Sequence, residues 1–144
     1  MIFAYFDTSV LVKNYIREAG SARARELLGR YSLFSSSIAP VELGSALRRR
    51  HTQGDLPKQD YSGILARVKR DRAFWDLIEP TPEVLKKAEE IVLNRAVRTL
   101  DAVHVASAII LRDSIGYSFP FVSSDGRQLE AARHYGLDMI TVDE

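Results

Sequence analysis

Five short apolar or β-prone runs, at residues 2–6, 32–36, 77–80, 119–123 and 138–142, alternate with stretches of helical spacing, and this alternation constrains the fold most. Ala24, Leu27, Leu28 and Tyr31 follow a helical period, as do Tyr61, Ile64, Leu65 and Val68, and again Val84, Ala88, Ile91 and Val92. These stripes are expected to pack as core. Residues 100–111, LDAVHVASAIIL, are apolar nearly all round, the pattern of a helix enclosed by other elements. Strands joined by helical crossovers run parallel, and such crossovers are right-handed, so every strand ends at the same edge of its sheet. The expected fold is therefore α/β: one domain over residues 1–144, in three layers, with a central parallel five-stranded sheet flanked by helices. Strand order and the grouping of helices between residues 38 and 98 are left open by these patterns.

A chain of 144 residues buries roughly 68–70% of its unfolded surface, so a full core is available. The absence of Cys excludes disulfides, thiolate zinc sites and thiol catalysis, and it suits a reducing compartment. Any metal would need oxygen or imidazole ligands. The N-terminal apolar run has no basic segment before it and is cut short by Asp7, so no secretory signal is expected. The longest apolar stretch, AVHVASAIIL, is too short to span a bilayer, which points to a cytoplasmic protein with no membrane partner. A formal charge of +1 decides nothing about polyanionic partners, so charge placement has to.

Four carboxylates fall where this fold would gather them. Asp7 ends the first strand in FDTSV and Asp125 follows the fourth in FVSSDGRQ. Glu42 and Asp101 fall in the first turns of helices that open after the second strand and at RTLDAVHVASA. All four should face the carboxyl edge of the sheet, where open α/β folds bind their ligands. Each has a local explanation, since Asp, Thr and Ser cap helices, Asp125 with Gln128 reads as a capping pair, and acids in a first turn suit the macrodipole. Capping gives no reason to collect four of them. Two carboxylates about 5 Å apart repel by roughly 3 kcal/mol at an effective dielectric near 20. A hard divalent cation removes that cost, because Mg²⁺ takes oxygen ligands, commonly one or two carboxylates plus substrate phosphate.

The FDTSVLV start, the Glu42 helix, LDAVHVASA and SSDGRQLEAARHYGL together resemble a PIN-domain protein, most closely the VapC-type ribonuclease toxins of toxin–antitoxin pairs. The resemblance covers essentially the whole chain. It implies an endoribonuclease dependent on Mg²⁺ or Mn²⁺, with Asp7, Glu42, Asp101 and Asp125 as the site and Ser9 and Ser123 in support. It also implies a central first strand, an RNA substrate such as tRNA or ribosomal RNA, a cognate antitoxin partner and a homodimer. On this reading Asp7 and Asp101 anchor the metal, while Glu42 and Asp125 complete its shell.

The remaining polar residues are weighed against plainer roles. His104 lies one helical turn from Asp101 on an apolar helix and is read as a core group, while His51 and His134 are read as surface residues. Basic clusters at residues 48–51 and 67–72 are read mainly as solvated faces, with Arg95 and Arg98, just upstream of Asp101, the first choices for RNA phosphate contacts. Two other functions share an acidic sheet edge. A phosphoacceptor or phosphatase domain would want an acidic pair or Asp-x-Asp at the first strand and a Lys at the last, where this chain has FDTSV and TVDE. A catalytically silent binding module of the same fold would have no need of four acids.

Overall fold

A computed structural model describes residues 2–142 of the chain. The strands are β1 (Phe3–Phe6), β2 (Ser32–Ser36), β3 (Asp76–Ile78), β4 (Pro120–Ser123) and β5 (Asp138–Thr141). The helices are α1 (Thr8–Tyr15), α2 (Ser21–Arg30), α3 (Ala39–Thr52), α4 (Lys58–Asp71), α5 (Pro82–Asn94), α6 (Thr99–Ile115) and α7 (Gly126–His134). Each strand lies within a residue or two of its expected place. Pairing at β3 stops at Ile78, just before Glu79 and Pro80, whose ring nitrogen has no hydrogen to donate.

The sheet is parallel throughout, in the order β3-β2-β1-β4-β5. From the central β1 the chain builds outward through β2 and β3, then returns to the other side of β1 for β4 and β5. The direction of winding therefore reverses between β1 and β4, the place where helices diverge and leave a crevice at the strand ends. Asp7 and Asp125 follow those two adjacent strands, and the Asp7 N–H donates to the Val122 carbonyl at 2.9 Å.

Alternation along the strands fills both helical layers. Ala4 and Phe6 of β1 and Val122 of β4 face the layer holding Val10, Leu11, Ala24 and Leu27. Tyr5 and Phe121 face the opposite layer, with Val84, Ala88 and Ile91 of α5 and the buried run 102–109 of α6. Tyr5, Phe6 and Phe121 are wholly buried, each contributing on the order of 2 kcal/mol from apolar area removed from water. Tyr15, Ile16, Leu43, Leu47 and Val68 form a satellite cluster among α1, α3 and α4.

Of the apolar run 100–111 the stretch 102–109 is enclosed as expected while Leu100 is 48% exposed, and two helical stripes are likewise narrower than their spacing implies. Val68, Val84, Ala88 and Ile91 are buried, but Leu65 and Val92 face solvent. A short helix packed on one side covers only part of an apolar face, and the flanking residues stay wet. Among the described residues, no helix is long and apolar enough to cross a membrane.

Candidate active site

Asp7 has two roles. Its extended backbone makes it the N-cap of α1, and Oδ2 accepts from the Ser9 N–H at 3.1 Å and the Ser9 hydroxyl at 2.6 Å. Oδ1 accepts from Gln128 Nε2 at 3.1 Å, and the residue is 4% exposed. Helix capping and placement at the crevice are thus the same event, because α1 starts where β1 stops.

Glu42 enters from the first turn of α3, and its Oε1 accepts from Thr8 Oγ1 at 2.8 Å. The same oxygen lies 2.6 Å from His104 Nε2, which must carry the proton because a carboxylate only accepts. His104 Nδ1 lies 2.8 Å from the Tyr5 hydroxyl, and the ring is wholly buried. Burial pushes the Glu42 carboxyl up, but the hydrogen bond and charge of His104 and the Thr8 hydroxyl outweigh it, and Glu42 ends below the usual range. Burial likewise lowers His104, and the Glu42 hydrogen bond with the charges of Asp7, Glu42 and Asp101 outweighs that, so the imidazole is raised. His104 Nε2 is also 3.6 Å from Asp7 Oδ1.

The other two acids stand at the rim. Asp125 is the N-cap of α7, and Oδ1 accepts from the N–H groups of Arg127 and Gln128 at 2.9 and 3.2 Å. Its own N–H donates to Ser123 Oγ at 3.0 Å, a group that in turn donates to Gln128 Oε1 at 2.6 Å. Asp101, in the first turn of α6, meets Arg98 Nε at 3.0 Å, and Arg98 Nη2 stands 3.7 Å from Asp125 Oδ2. Burial raises the Asp101 carboxyl, the Arg98 hydrogen bond lowers it, and the charges of Asp7 and Asp125 raise it again, leaving it above its ordinary value. A cleft of about 480 Å³ opens here, lined by Val97, Arg98, Asp101, Asp125, Gly126 and Arg127.

The four acids are linked through intermediaries. Gln128 spans Asp7 and the Asp101 carbonyl, the latter at 3.1 Å, and His104 spans Glu42 and Asp7. Among the described residues, no three acidic or imidazole groups already sit at the spacing of a metal cage. The donor chemistry still fits a hard cation. The oxygens belong to carboxylates, Asp101 is raised by burial and by the charges of Asp7 and Asp125, and the Arg98 guanidinium already stands between two of them as a stand-in positive charge.

Several side chains do more than their sequence context indicated. His104 is buried, as a core histidine would be, yet it serves the acid network; its place one turn after Asp101 was the available signal. Gln128 does not close a capping box with Asp125, because Ser123 takes the Asp125 N–H and frees the amide to reach Asp7. Thr8, legible as a cap residue, holds Glu42. Of the two Arg residues expected to contact RNA phosphates, Arg98 lines the acid cleft, whereas Arg95 meets His134, with Nη2 2.5 Å from Nδ1. Among the basic clusters, Arg50 pairs with Glu18 at 3.0 Å and Arg67 lies over the Tyr15 ring.

Residues 4–134 match the PIN domain family. Ribonuclease VapC45 of Mycobacterium tuberculosis (strain CDC 1551 / Oshkosh) is 35% identical over 118 residues, covering 78% of this chain and 79% of that protein. Ribonuclease VapC46 of M. tuberculosis (strain ATCC 25618 / H37Rv) is 33% identical over 141 residues, covering 97% and 98%. The fold is shared with a toxin–antitoxin complex from Klebsiella pneumoniae, at a TM-score of 0.69 and 14% identity over 98% of each chain. It is shared also with VapBC2 from Rickettsia felis, solved bound to a DNA fragment from its promoter, at a TM-score of 0.66 and 14% identity over 98% of each chain. With its strand order, its acids at the β1/β4 crevice and relatives this similar over most of their length, the chain belongs to the PIN-domain family and, within it, to the VapC group.

Proposed function

We propose that this protein is a Mg²⁺- or Mn²⁺-dependent endoribonuclease, acting as the toxin of a toxin–antitoxin pair in the cytoplasm. The observation that carries this reading is the meeting of four acids from four separate elements at one crevice, with a guanidinium between two of them. The relatives named ribonuclease VapC support RNA as the substrate, and toxin–antitoxin complexes among the structural neighbours support a protein antitoxin. Asp7 and Asp101 are the residues that would hold the cation, with Glu42 and Asp125 completing its surroundings. A divalent ion bound there would supply charge neutralisation at the scissile phosphate and acidify water.

The chain's own residues do the rest. Ser9 and Gln128 hold Asp7 in one orientation, so its oxygens need no reorganisation when substrate arrives. Glu42, kept ionised and fixed by the His104 and Thr8 donors, is a weak base but an acceptor suited to orienting an attacking water. Ser9 and Ser124 border a cleft of about 310 Å³ that also holds Lys13, Arg49 and Arg50 around Glu18, which pairs with Lys13 and Arg50 and leaves a net positive wall for the RNA backbone. An antitoxin side chain bearing Arg or Lys would inhibit by entering among Asp7, Glu42 and Asp101, as Arg98 already does at the rim.

Purified protein incubated with a panel of cellular RNAs tests the reading. Internal cleavage in Mg²⁺ or Mn²⁺, lost in excess chelator and in Asp7→Asn, is expected. Cleavage that persists in chelator would overturn the metal requirement. A protein that neither cleaves nor binds metal would be the silent binding module, and stable phosphorylation of Asp7 by a small phosphodonor would favour receiver chemistry. Light scattering tests the proposed homodimer.

A further inference from the structure

Arg98 stands out among the basic residues. It occupies the N-cap position of α6 in extended backbone and makes no side-chain capping bond, so helix initiation does not require its guanidinium. Its side chain is 82% exposed, yet it forms the ion pairs to both rim acids, at 3.0 Å to Asp101 and 3.7 Å to Asp125. Among the described residues, no other Lys or Arg pairs with Asp7, Glu42, Asp101 or Asp125.

A guanidinium at an open rim is a weak competitor for these oxygens. It brings one delocalised charge to about 3 Å, and solvent screens it. A divalent cation brings twice the charge to oxygens at about 2 Å. The two positive groups cannot share Asp101 without repelling one another. The exposed methylene stem lets Arg98 leave, and it stays tethered at the lip of the cleft beside the acids. A polyanion entering that cleft is then its nearest source of oxygens.

We infer that Arg98 exchanges partners, neutralising Asp101 and Asp125 when no divalent ion is present and gripping the RNA backbone once one binds. This rests on the nuclease reading above and deepens it. Metal and RNA are then coupled through one side chain, and linkage requires that each tighten the other.

The test uses the full chain, Arg98→Gln, Arg98→Lys and, as a control, Arg95→Gln, since Arg95 contacts His134 and none of the acids. Mn²⁺ affinity is measured by calorimetry without RNA. Binding to an uncleavable 2′-O-methyl oligonucleotide is measured by fluorescence anisotropy across a salt series, in Mn²⁺ and in chelator. Arg98→Gln should bind Mn²⁺ about two- to fivefold more tightly, the scale of one exposed charge contact removed. In Mn²⁺ its log–log salt slope for RNA should be shallower than the parent's by about 0.7, one phosphate contact on a single strand, while in chelator the slopes should coincide. Arg98→Lys and Arg95→Gln should keep the parent's slope. Unchanged Mn²⁺ affinity, or the same slope change with and without Mn²⁺, overturns the exchange while leaving the nuclease reading intact. A parent that binds no Mn²⁺ removes both.

Discussion

Asp7 and Glu42 are held by hydrogen bonds from Ser9, Gln128, Thr8 and His104, groups locked between the sheet and its helices. Asp101 and Asp125, at the rim, share one exposed guanidinium, with backbone N–H groups holding one oxygen of Asp125. The electrostatics follow this division. Glu42 is held below the usual carboxylate range by donors built into the fold, whereas Asp101 is pushed above it because burial and neighbouring charge outweigh Arg98. Asp7 and Glu42 are therefore preorganised, and Asp101 is the acid that stands to gain most from an added positive charge.

The largest expected effect lies at Asp7. Asp7→Asn can keep the Ser9 cap but sets its amide against a donor, and by removing the charge it should lower RNA cleavage by about a thousandfold or more in a single-turnover assay. If Asp125→Asn at the rim proves the more damaging of the two, the division is drawn in the wrong place.

Next comes His104→Ala, which empties a wholly buried site and strips a partner from both Glu42 and the Tyr5 hydroxyl. It should cost about 2–4 kcal/mol in chemical denaturation, the larger cost falling in chelator, where no cation stands in for the imidazole among the acids. An equal cost in Mg²⁺ and in chelator would make His104 a packing group only.

Acidity gives a finer comparison. His104 is raised above 6.5, so its contribution to stability is fully present below about pH 6.5 and is lost as pH rises through its folded value. Glu42 is lowered from 4.5, so its contribution is present above about pH 4.5 and is lost as pH falls through its folded value. In chelator the pair should stabilise most between those two limits, and the His104 ring protons should titrate in NMR with a midpoint above 6.5. A midpoint below 6.5 would mean that burial outweighs the acids. The smallest loss is expected at the rim, where Asp125→Ala removes a helix cap at a cost of about 1 kcal/mol, read from thermal melts.

Much of this arrangement is visible in the sequence because local chemistry and global placement coincide. Asp7 follows an apolar strand and precedes Thr8 and Ser9, so the signals that stop a strand and start a helix also mark the crevice. Residues 102–109 show their enclosure directly, since a helix apolar on every side has no solvent face to present. What remained hidden depends on contacts between distant segments. The Gln128–Asp7 bond spans 121 positions and Tyr5–His104 spans 99, and no local pattern encodes either. Arg95 and Arg98, three residues apart, look equivalent in the sequence; only the packing of α7 shows that His134 is there to take one of them. The central position of β1 came with the family resemblance, because alternating strands and helices fix direction but not strand order.

The central claim is that these acids are gathered for a cation, and it has a sign that thermal melting can read. Removing the Asp101 charge removes the cost of burying it and its repulsion from Asp7 and Asp125, which together outweigh the lost Arg98 contact, so in chelator Asp101→Asn should melt above the parent by an amount worth on the order of 1 kcal/mol, about 3–5 °C for a chain of this size. Millimolar Mg²⁺ should stabilise the parent and leave Asp101→Asn nearly unmoved. A parent indifferent to Mg²⁺, with Asp101→Asn no more stable than the parent in chelator, would contradict the claim and leave the four carboxylates as helix caps and first-turn acids.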